Sequence, residues 1–209
     1  MSMVWAWPLG VGTYAEMGKR VEVPRLRCPE CGELLVWWGW YRRMARWLVG
    51  PGELMEEQLW IRRGRCMGCQ IAHALLPDFL HEWRKDVVET IGHAVAEVVE
   101  EGRAGVHVAV RMGLPLSTVR NWRARHRQQA GALFAGHGRL AVELGADLAH
   151  VPADGERAAL AATRESWEQA RRRWGEASVG GVWRWWGRAA GGRPLGRRPP
   201  TFLGSSRSP

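Results

Sequence analysis

Cys28-Pro29-Glu30-Cys31 and Cys66-Met67-Gly68-Cys69 together hold all four cysteines of the chain. Each is a Cys-x-x-Cys pair, in which one tight turn points two thiolates toward a common centre. Two such pairs provide four sulfur ligands for a tetrahedral zinc ion, with Zn–S distances of about 2.3 Å. We therefore expect Cys28, Cys31, Cys66 and Cys69 to bind one structural Zn²⁺, with no coordination position left for a substrate.

Paired cysteines have two other common uses, a redox dithiol and disulfides. A thioredoxin-like dithiol needs one pair on a βαβ unit, and here there are two pairs. Disulfides suit secreted chains, whereas residues 1–12 carry no basic residue ahead of their apolar stretch, as a secretory signal would. The 34 residues between the pairs exceed the usual spacing of about 15–20. Zinc remains the favoured interpretation, with His73 and His81 as ordinary surface or core histidines.

The residues between the two pairs indicate a small antiparallel sheet. Leu34–Trp38 is an apolar, β-prone run, and Leu54–Arg63 alternates as a strand does, with Gly50-Pro51-Gly52 as the turn between them. We expect a zinc ribbon over residues 28–76, with one knuckle at each end of the sheet. Gly32 can adopt the positive φ that a knuckle prefers, and Gln70, at the equivalent place, fits less well.

The charge of the chain favours a nucleic-acid partner. The 209 residues carry a net charge of +9, with a pI near 10.6, and all basic residues except Lys19 and Lys85 are arginine. Arginine suits bidentate contacts to phosphate and guanine, although basic proteins also bind membranes. Since no apolar run reaches the ~18 residues of a transmembrane helix, we expect a cytoplasmic protein with no membrane partner.

A helix-turn-helix is predicted after the ribbon, over residues 84–128. A first helix over Asp86–Glu101 is capped by Asp86, and a short one follows over Val106–Met112. A third helix starts at Leu116 or Ser117 and continues to His126. Ala109, Gly113 and Val119 have the spacing at which a small residue, a turn glycine and a core anchor occur in this motif.

The third helix is the candidate DNA reader. Between Gly102 and Arg127 the chain has six arginines and no acidic residue, which suits a phosphate backbone nearby. Arginine can pair with guanine and asparagine with adenine in the major groove. A plain helical hairpin with a solvated arginine face is the alternative. The candidate DNA-binding residues are Ser117, Thr118, Arg120, Asn121, Arg123 and Arg125.

Residues Cys28–Arg127 carry a resemblance. A zinc ribbon followed at once by a helix-turn-helix ending Ser-Thr-Val-Arg-Asn-Trp resembles a bacterial family of uncharacterised proteins. It is also similar to the N-terminal DNA-binding region of zinc-ribbon transposases. The resemblance implies sequence-specific binding of duplex DNA by the third helix, with the ribbon as a folding support or accessory contact.

The chain outside these two units divides into an arm and two C-terminal regions. Residues 1–27 are expected to form an irregular arm, and residues 129–176 a helical region. Within the latter, Leu160, Trp167 and Trp174 recur every seven residues, as in core packing or in the seam of a homodimer. Residues 177–209 are expected to be a largely disordered tail that adds phosphate contacts. The expected fold is mainly α with a small β zinc ribbon.

Nothing in the sequence predicts an enzyme. The chain has four aspartates, Asp78, Asp86, Asp147 and Asp154, and none follows a predicted strand as a transposase active site requires. Three functions remain open. The chain is a zinc-stabilised DNA-binding regulator or mobile-element protein, an accessory DNA-binding subunit of a separately encoded transposase or recombinase, or a protein-interaction module.

Overall fold

The computed structural model describes residues 2–152 and 155–202, which form a sheet followed by a helical unit. The strands are β1 (Ser2–Trp5), β2 (Leu35–Gly50), β3 (Glu53–Cys66) and β4 (Ala72–Pro77). The helices are α1 (Val11–Met17), α2 (Val88–Val99), α3 (Gly105–Arg111), α4 (Leu116–Glu143), α5 (Gly155–Trp174), α6 (Glu176–Val179) and α7 (Val182–Ala189), and a 3₁₀ turn spans Gly18–Arg20. With 45% helix and 23% strand, the protein is mixed, and the expectation of a mainly α fold is wrong.

A long hairpin of β2 and β3 dominates the sheet, whose strand order is β1-β4-β3-β2. Antiparallel pairing aligns Leu35 at the start of β2 with Cys66 at the end of β3. Both knuckles therefore lie at the open end of the hairpin, and the expectation of one knuckle at each end of the sheet is wrong. The unusually long gap between the cysteine pairs is the length of this hairpin.

The N-terminal arm is ordered and completes the sheet. β1 pairs in parallel with β4, so that Met3 aligns with Leu75. Trp5 and Trp7 are buried against the same core as Tyr14 of α1. Local sequence patterns do not predict this parallel pairing, because it joins residues some 70 positions apart.

The region predicted to form a helix-turn-helix contains the three helices α2, α3 and α4, and one correction applies at its start. Asp86 does not cap α2, which begins at Val88 after a Val87 N-cap. The Asp86 carboxylate instead accepts a 2.6 Å hydrogen bond from Arg46 Nε of β2. The backbone of Arg46 also bonds to Lys85 and Val87, so this short segment covers the free edge of β2.

α4 runs far beyond the predicted end at His126, and α5 lies beside it in the same direction. Arg127 bonds to Glu156, and His137 bonds to Ser166, each across 29 residues of sequence. Because both contacts join residues with the same sequence separation, α4 and α5 run parallel. Leu148 follows α4 in the chain and lies beside Gly138 of that helix. The chain therefore turns back along α4 after the helix ends.

The predicted heptad stripe of α5 is used within the chain. Leu160 belongs to the main helical core, while Trp167 and Trp174 pack with Leu140 and Trp185 in a smaller cluster. The core-packing alternative accounts for this stripe, and the homodimer stays a prediction.

The C-terminal region also departs from expectation, because residues 177–202 are folded rather than disordered. α7 packs Trp183 against α2, where a Cβ on Gly92 would lie 2.2 Å from the indole ring. Arg188 is buried, with Nη1 3.6 Å from Asp78 Oδ2. Its charge is therefore paired inside the protein and does not contact a phosphate. The part of the predicted tail at residues 203–209 lies outside the described residues. No helix among the described residues is long and apolar enough to cross a membrane.

Candidate functional site

The four cysteines meet in one cluster at the open end of the β2–β3 hairpin. Their Sγ atoms all lie within 4.8 Å of one another. Cys28 Sγ is 3.5 Å from Cys69 Sγ, and Cys31 Sγ is 3.2 Å from Cys66 Sγ. These residues lie close enough to hold a metal ion, as their spacing predicts.

Each knuckle is closed by backbone hydrogen bonds in the same way. The N–H of Cys28 donates to Glu33 O at 2.8 Å, and the N–H of Cys66 donates to Ile71 O at 2.9 Å. The turn residues behind the second cysteines, Gly32 and Gln70, have φ values of 79° and 62°. Gln70 therefore holds the left-handed conformation for which glycine is better suited.

The backbone favours the thiolate form of Cys66, whereas burial and the neighbouring cysteine side chains raise the pKa of Cys69 to about 12. The N–H of Cys69 donates to Cys66 Sγ at 3.5 Å and, with the other N–H and thiol donors around it, lowers the pKa of Cys66 to about 7. His73 was expected to be an ordinary histidine, yet it is buried with Nε2 3.6 Å from Cys28 Sγ. It is a neighbour of the cluster, whose four sulfur ligands are complete without it.

The second candidate surface is the exposed side of α4. Val119 and Trp122 are buried, which fixes the rotation of the helix against α2 and α3. Of the predicted DNA-binding residues, Ser117, Arg120, Asn121 and Arg123 are exposed, whereas Thr118 and Arg125 are half-buried. The centre of the exposed face also includes two residues that sequence reasoning missed, Ala124 and Gln128, both at helical spacing from Asn121.

The turn before α4 is supported by the tip of the hairpin. Gly113 has φ 64°, as its role in the motif predicts. A Cβ at Gly113 would lie 2.6 Å from the carbonyl oxygen of Gly52 in the β2–β3 turn. Leu48 and Leu54, next to that turn, pack on the helical core. One hairpin thus carries the cysteine cluster at one end and contacts the turn between α3 and α4 at the other.

Ion pairs reduce the positive charge predicted for this region. Arg111 pairs with Glu97, and Arg103 pairs with Glu101 at 2.7 Å. Glu156 of α5 lies 3.8 Å from Arg123 and 3.0 Å from Arg127. Within the described ranges, the two remaining arginines, Arg120 and Arg125, have no carboxylate partner. Charge available to a ligand is therefore concentrated beside Asn121.

Arginine and tryptophan also stack on the solvent face of the hairpin. The Arg62 guanidinium lies 4.8 Å from the Trp37 ring centroid and 4.7 Å from that of Trp40. Arg65 lies 4.5 Å from the Trp38 centroid. These contacts place positive charge over part of each ring, although Trp38 is still 52% exposed.

The comparisons with known proteins cover the cysteine cluster, α2, α3 and the start of α4 together. A family described as a domain of unknown function (DUF6431) matches residues 28–122, slightly less than half of the chain. No curated protein and no solved structure matches the chain. The chain is thus similar, from Cys28 to Trp122, to this domain of unknown function.

Proposed function

We propose that this protein is a zinc-stabilised DNA-binding protein that reads duplex DNA with α4, either as a regulator or as a mobile-element protein. The observation that carries the proposal is the exposed face of α4. Its polar centre contains Ser117, Asn121 and Gln128. Arg120 and Arg125 lie on its two sides with no carboxylate partner among the described residues, and Arg125 donates to Gln128 Oε1 at 3.0 Å. An asparagine can accept and donate to one adenine, and each arginine can hold guanine or a backbone phosphate.

We assign zinc to the cysteine cluster because four thiolates form the ligand set that structural zinc sites use. The ion would join the first knuckle to the end of β3 and so hold the open end of the hairpin together. The same hairpin supports the Gly113 turn with its tip, at Gly52. In this proposal zinc has a structural role, because it stabilises the hairpin whose tip contacts the turn before α4.

Sequence selection tests the reading function directly. Purified protein with measured zinc content is selected against random duplex DNA at about 150 mM salt, a condition at which phosphate contacts alone give weak binding. We expect one enriched motif, and a palindrome within it would indicate a homodimer. Arg120→Ala and Asn121→Ala should lose preference at individual base positions while the fold is retained.

Arg139→Ala is the matched control, because Arg139 is exposed on α4 far beyond the reading face. An unchanged motif in both Arg120→Ala and Asn121→Ala would show that α4 is not the reader. The accessory-subunit form of the proposal predicts that a separately encoded transposase or recombinase co-purifies and that its activity needs this protein. Absence of any DNA binding, with zinc bound, would instead favour a protein-interaction module. DNA binding in cells would also place the protein at the nucleoid.

A further inference from the structure

Trp83 is the most exposed large apolar side chain that the structure describes, with 87% of its surface accessible. Its backbone has φ 66°, a left-handed conformation that costs a non-glycine residue about 1–3 kcal/mol. In the described part of the chain, no cation stacks on its ring, unlike the rings on the face of the hairpin. An exposed indole held in a strained conformation points to a contact outside the chain.

The loop that carries Trp83 is held rigidly from both sides. His81 donates from Nδ1 to Glu82 O at 2.5 Å and accepts the Leu195 N–H at Nε2, at 3.2 Å. The bond from Leu195 requires the neutral ring, because Nε2 must accept, and burial lowers the pKa of His81 to about 3. The Glu82 N–H donates to Gly192 O at 2.7 Å, and Arg43 donates to Arg84 O at 2.8 Å. Trp83 is therefore presented by a fixed turn.

A cleft of about 600 Å³ lies directly beside Trp83 and is lined mainly by arginines. Glu82, the carboxylate in its wall, is already paired with Arg193 at 3.3 Å. Across the described residues, neither Arg197 nor Arg198 has a carboxylate partner. Burial lowers the pKa of Arg84, and repulsion from Arg125 lowers it further, so the cleft favours an anion. Its arginines are Arg84, Arg125, Arg193, Arg197 and Arg198.

The cleft is continuous with the proposed reading face. Arg84 and Arg125 also line the adjoining hollow of about 360 Å³, together with Asn121, Ala124 and Gln128 of α4. The C-terminal loop is fixed to α4 by a 3.0 Å hydrogen bond from Gln129 Nε2 to Gly196 O. A DNA strand at Asn121 would therefore continue past Arg125 and Arg84 toward Arg197 and Arg198.

We propose that this cleft binds a backbone phosphate of the DNA strand flanking the bases read by α4, and that Trp83 packs against the neighbouring nucleotide. The inference rests on the proposed DNA-binding function and adds a second contact to it. Phosphate contacts position a protein on DNA without reading its sequence, and aromatic side chains add affinity that does not depend on salt. Loss of the phosphate contact should therefore change the salt dependence of DNA binding, whereas loss of the Trp83 contact should lower the affinity without changing the salt dependence.

The test measures affinity for the enriched duplex and for a random-sequence duplex over a salt series. Arg197→Ala/Arg198→Ala should weaken both by about fivefold per lost phosphate contact at about 150 mM salt, and flatten the plot of log affinity against log salt by about 1 per contact. Trp83→Ala should weaken binding about tenfold with no change in that slope, and Trp83→Phe should retain most of the affinity. The selected motif should be unchanged in all of these variants.

Arg172→Ala/Arg173→Ala is the charge-matched control, on exposed positions at the end of α5. A slope identical to that of this control would overturn the phosphate cleft while leaving the α4 proposal intact. Undiminished affinity in Trp83→Ala would overturn the role of Trp83. A flattened slope together with an unchanged motif in both Arg120→Ala and Asn121→Ala would support a phosphate contact in the cleft and reject α4 as the reader. A wild-type protein that binds no duplex would reject both the function and this contact.

Discussion

Gly52 and Gly113 are in backbone contact, although one lies in the turn between β2 and β3 and the other in the turn between α3 and α4. A Cβ on Gly113 would approach the Gly52 carbonyl oxygen to 2.6 Å, and a Cβ on Gly52 would lie 3.4 Å from Arg111 O. The contact needs the absence of a side chain at Gly113, whereas a Cβ at Gly52 would lie at an ordinary contact distance. It joins the hairpin that carries the cysteines to the turn that orients α4, so damage to one unit should affect the other.

Gly113→Ala should therefore destabilise the protein more than a left-handed glycine alone explains. Gly102→Ala is the matched control, because Gly102 has φ 68° with open space around it. We expect a loss of about 1 kcal/mol in the control, from the backbone conformation, and roughly 1–3 kcal/mol more in Gly113→Ala from the clash. Equal denaturation midpoints for the two variants would mean that the hairpin tip does not constrain the turn.

The metal cluster is tested by a substitution within the second knuckle. Cys66→Ser removes a ligand, so bound zinc should fall from about one per chain to none and the melting temperature should drop. Met67→Ser, at an exposed neighbouring position, should leave both unchanged. Elemental analysis and thermal unfolding measure the two effects. A Cys66→Ser protein with full zinc content and unchanged melting would contradict the site.

The residue with positive φ is Gly32 in the first knuckle and Gln70 in the second. Each can therefore be replaced by the residue type of the other. Gln70→Gly should stabilise the zinc-loaded protein by about 0.5–1 kcal/mol, since glycine adopts φ near 62° without strain. Gly32→Gln should destabilise it by a similar amount, because φ there is 79°. Chemical denaturation gives both values. Loss of stability in Gln70→Gly would show that the Gln70 side-chain bond to Met67 O outweighs the backbone strain.

Two helical glycines should respond to alanine in opposite directions. Gly131 of α4 has open space where its Cβ would be, so Gly131→Ala should stabilise the protein by about 1 kcal/mol through helix propensity. Gly92 of α2 lies against the buried Trp183, so Gly92→Ala should cost about 1–3 kcal/mol by overpacking. A stabilising effect at both positions would show that α7 is not packed on α2 as described.

Three buried histidines should make the protein less stable in acid. Burial lowers the pKa of His126 to about 4 and those of His81 and His137 to about 3. Below the unfolded value of about 6.5, the unfolded chain therefore binds protons that the folded chain does not, at a cost of about 1 kcal/mol per histidine at pH 5.5.

Asp78 acts in the opposite direction, because burial raises its pKa to about 6. The stability that it contributes is therefore lost as the pH rises through 6. Three histidines outweigh this one carboxylate between pH 7.5 and 5.5. His137→Gln should flatten the decrease by about one third, measured by unfolding at constant zinc content. A decrease as steep as that of the wild type would show that His137 titrates normally.

Local patterns in the sequence were sufficient for several features of the fold. The two Cys-x-x-Cys pairs, the Gly50–Gly52 turn and the left-handed Gly113 each depend on a few consecutive residues. The physical reason is that ligand spacing, glycine conformation and helical periodicity are short-range properties of the chain. The clustering of the four cysteines followed from this spacing because both pairs flank one hairpin.

Tertiary structure decided the features that depend on pairing across long separations. Asp86 bonds to Arg46 rather than capping α2, and Glu156 pairs with Arg123, which was predicted to face DNA, and with Arg127. The segment around Leu195, by composition a tail, folds back to bond to His81 and completes the cleft beside Trp83. A carboxylate or a carbonyl can choose among many partners that are distant in sequence. Only the packed fold determines which of them is close enough to bind.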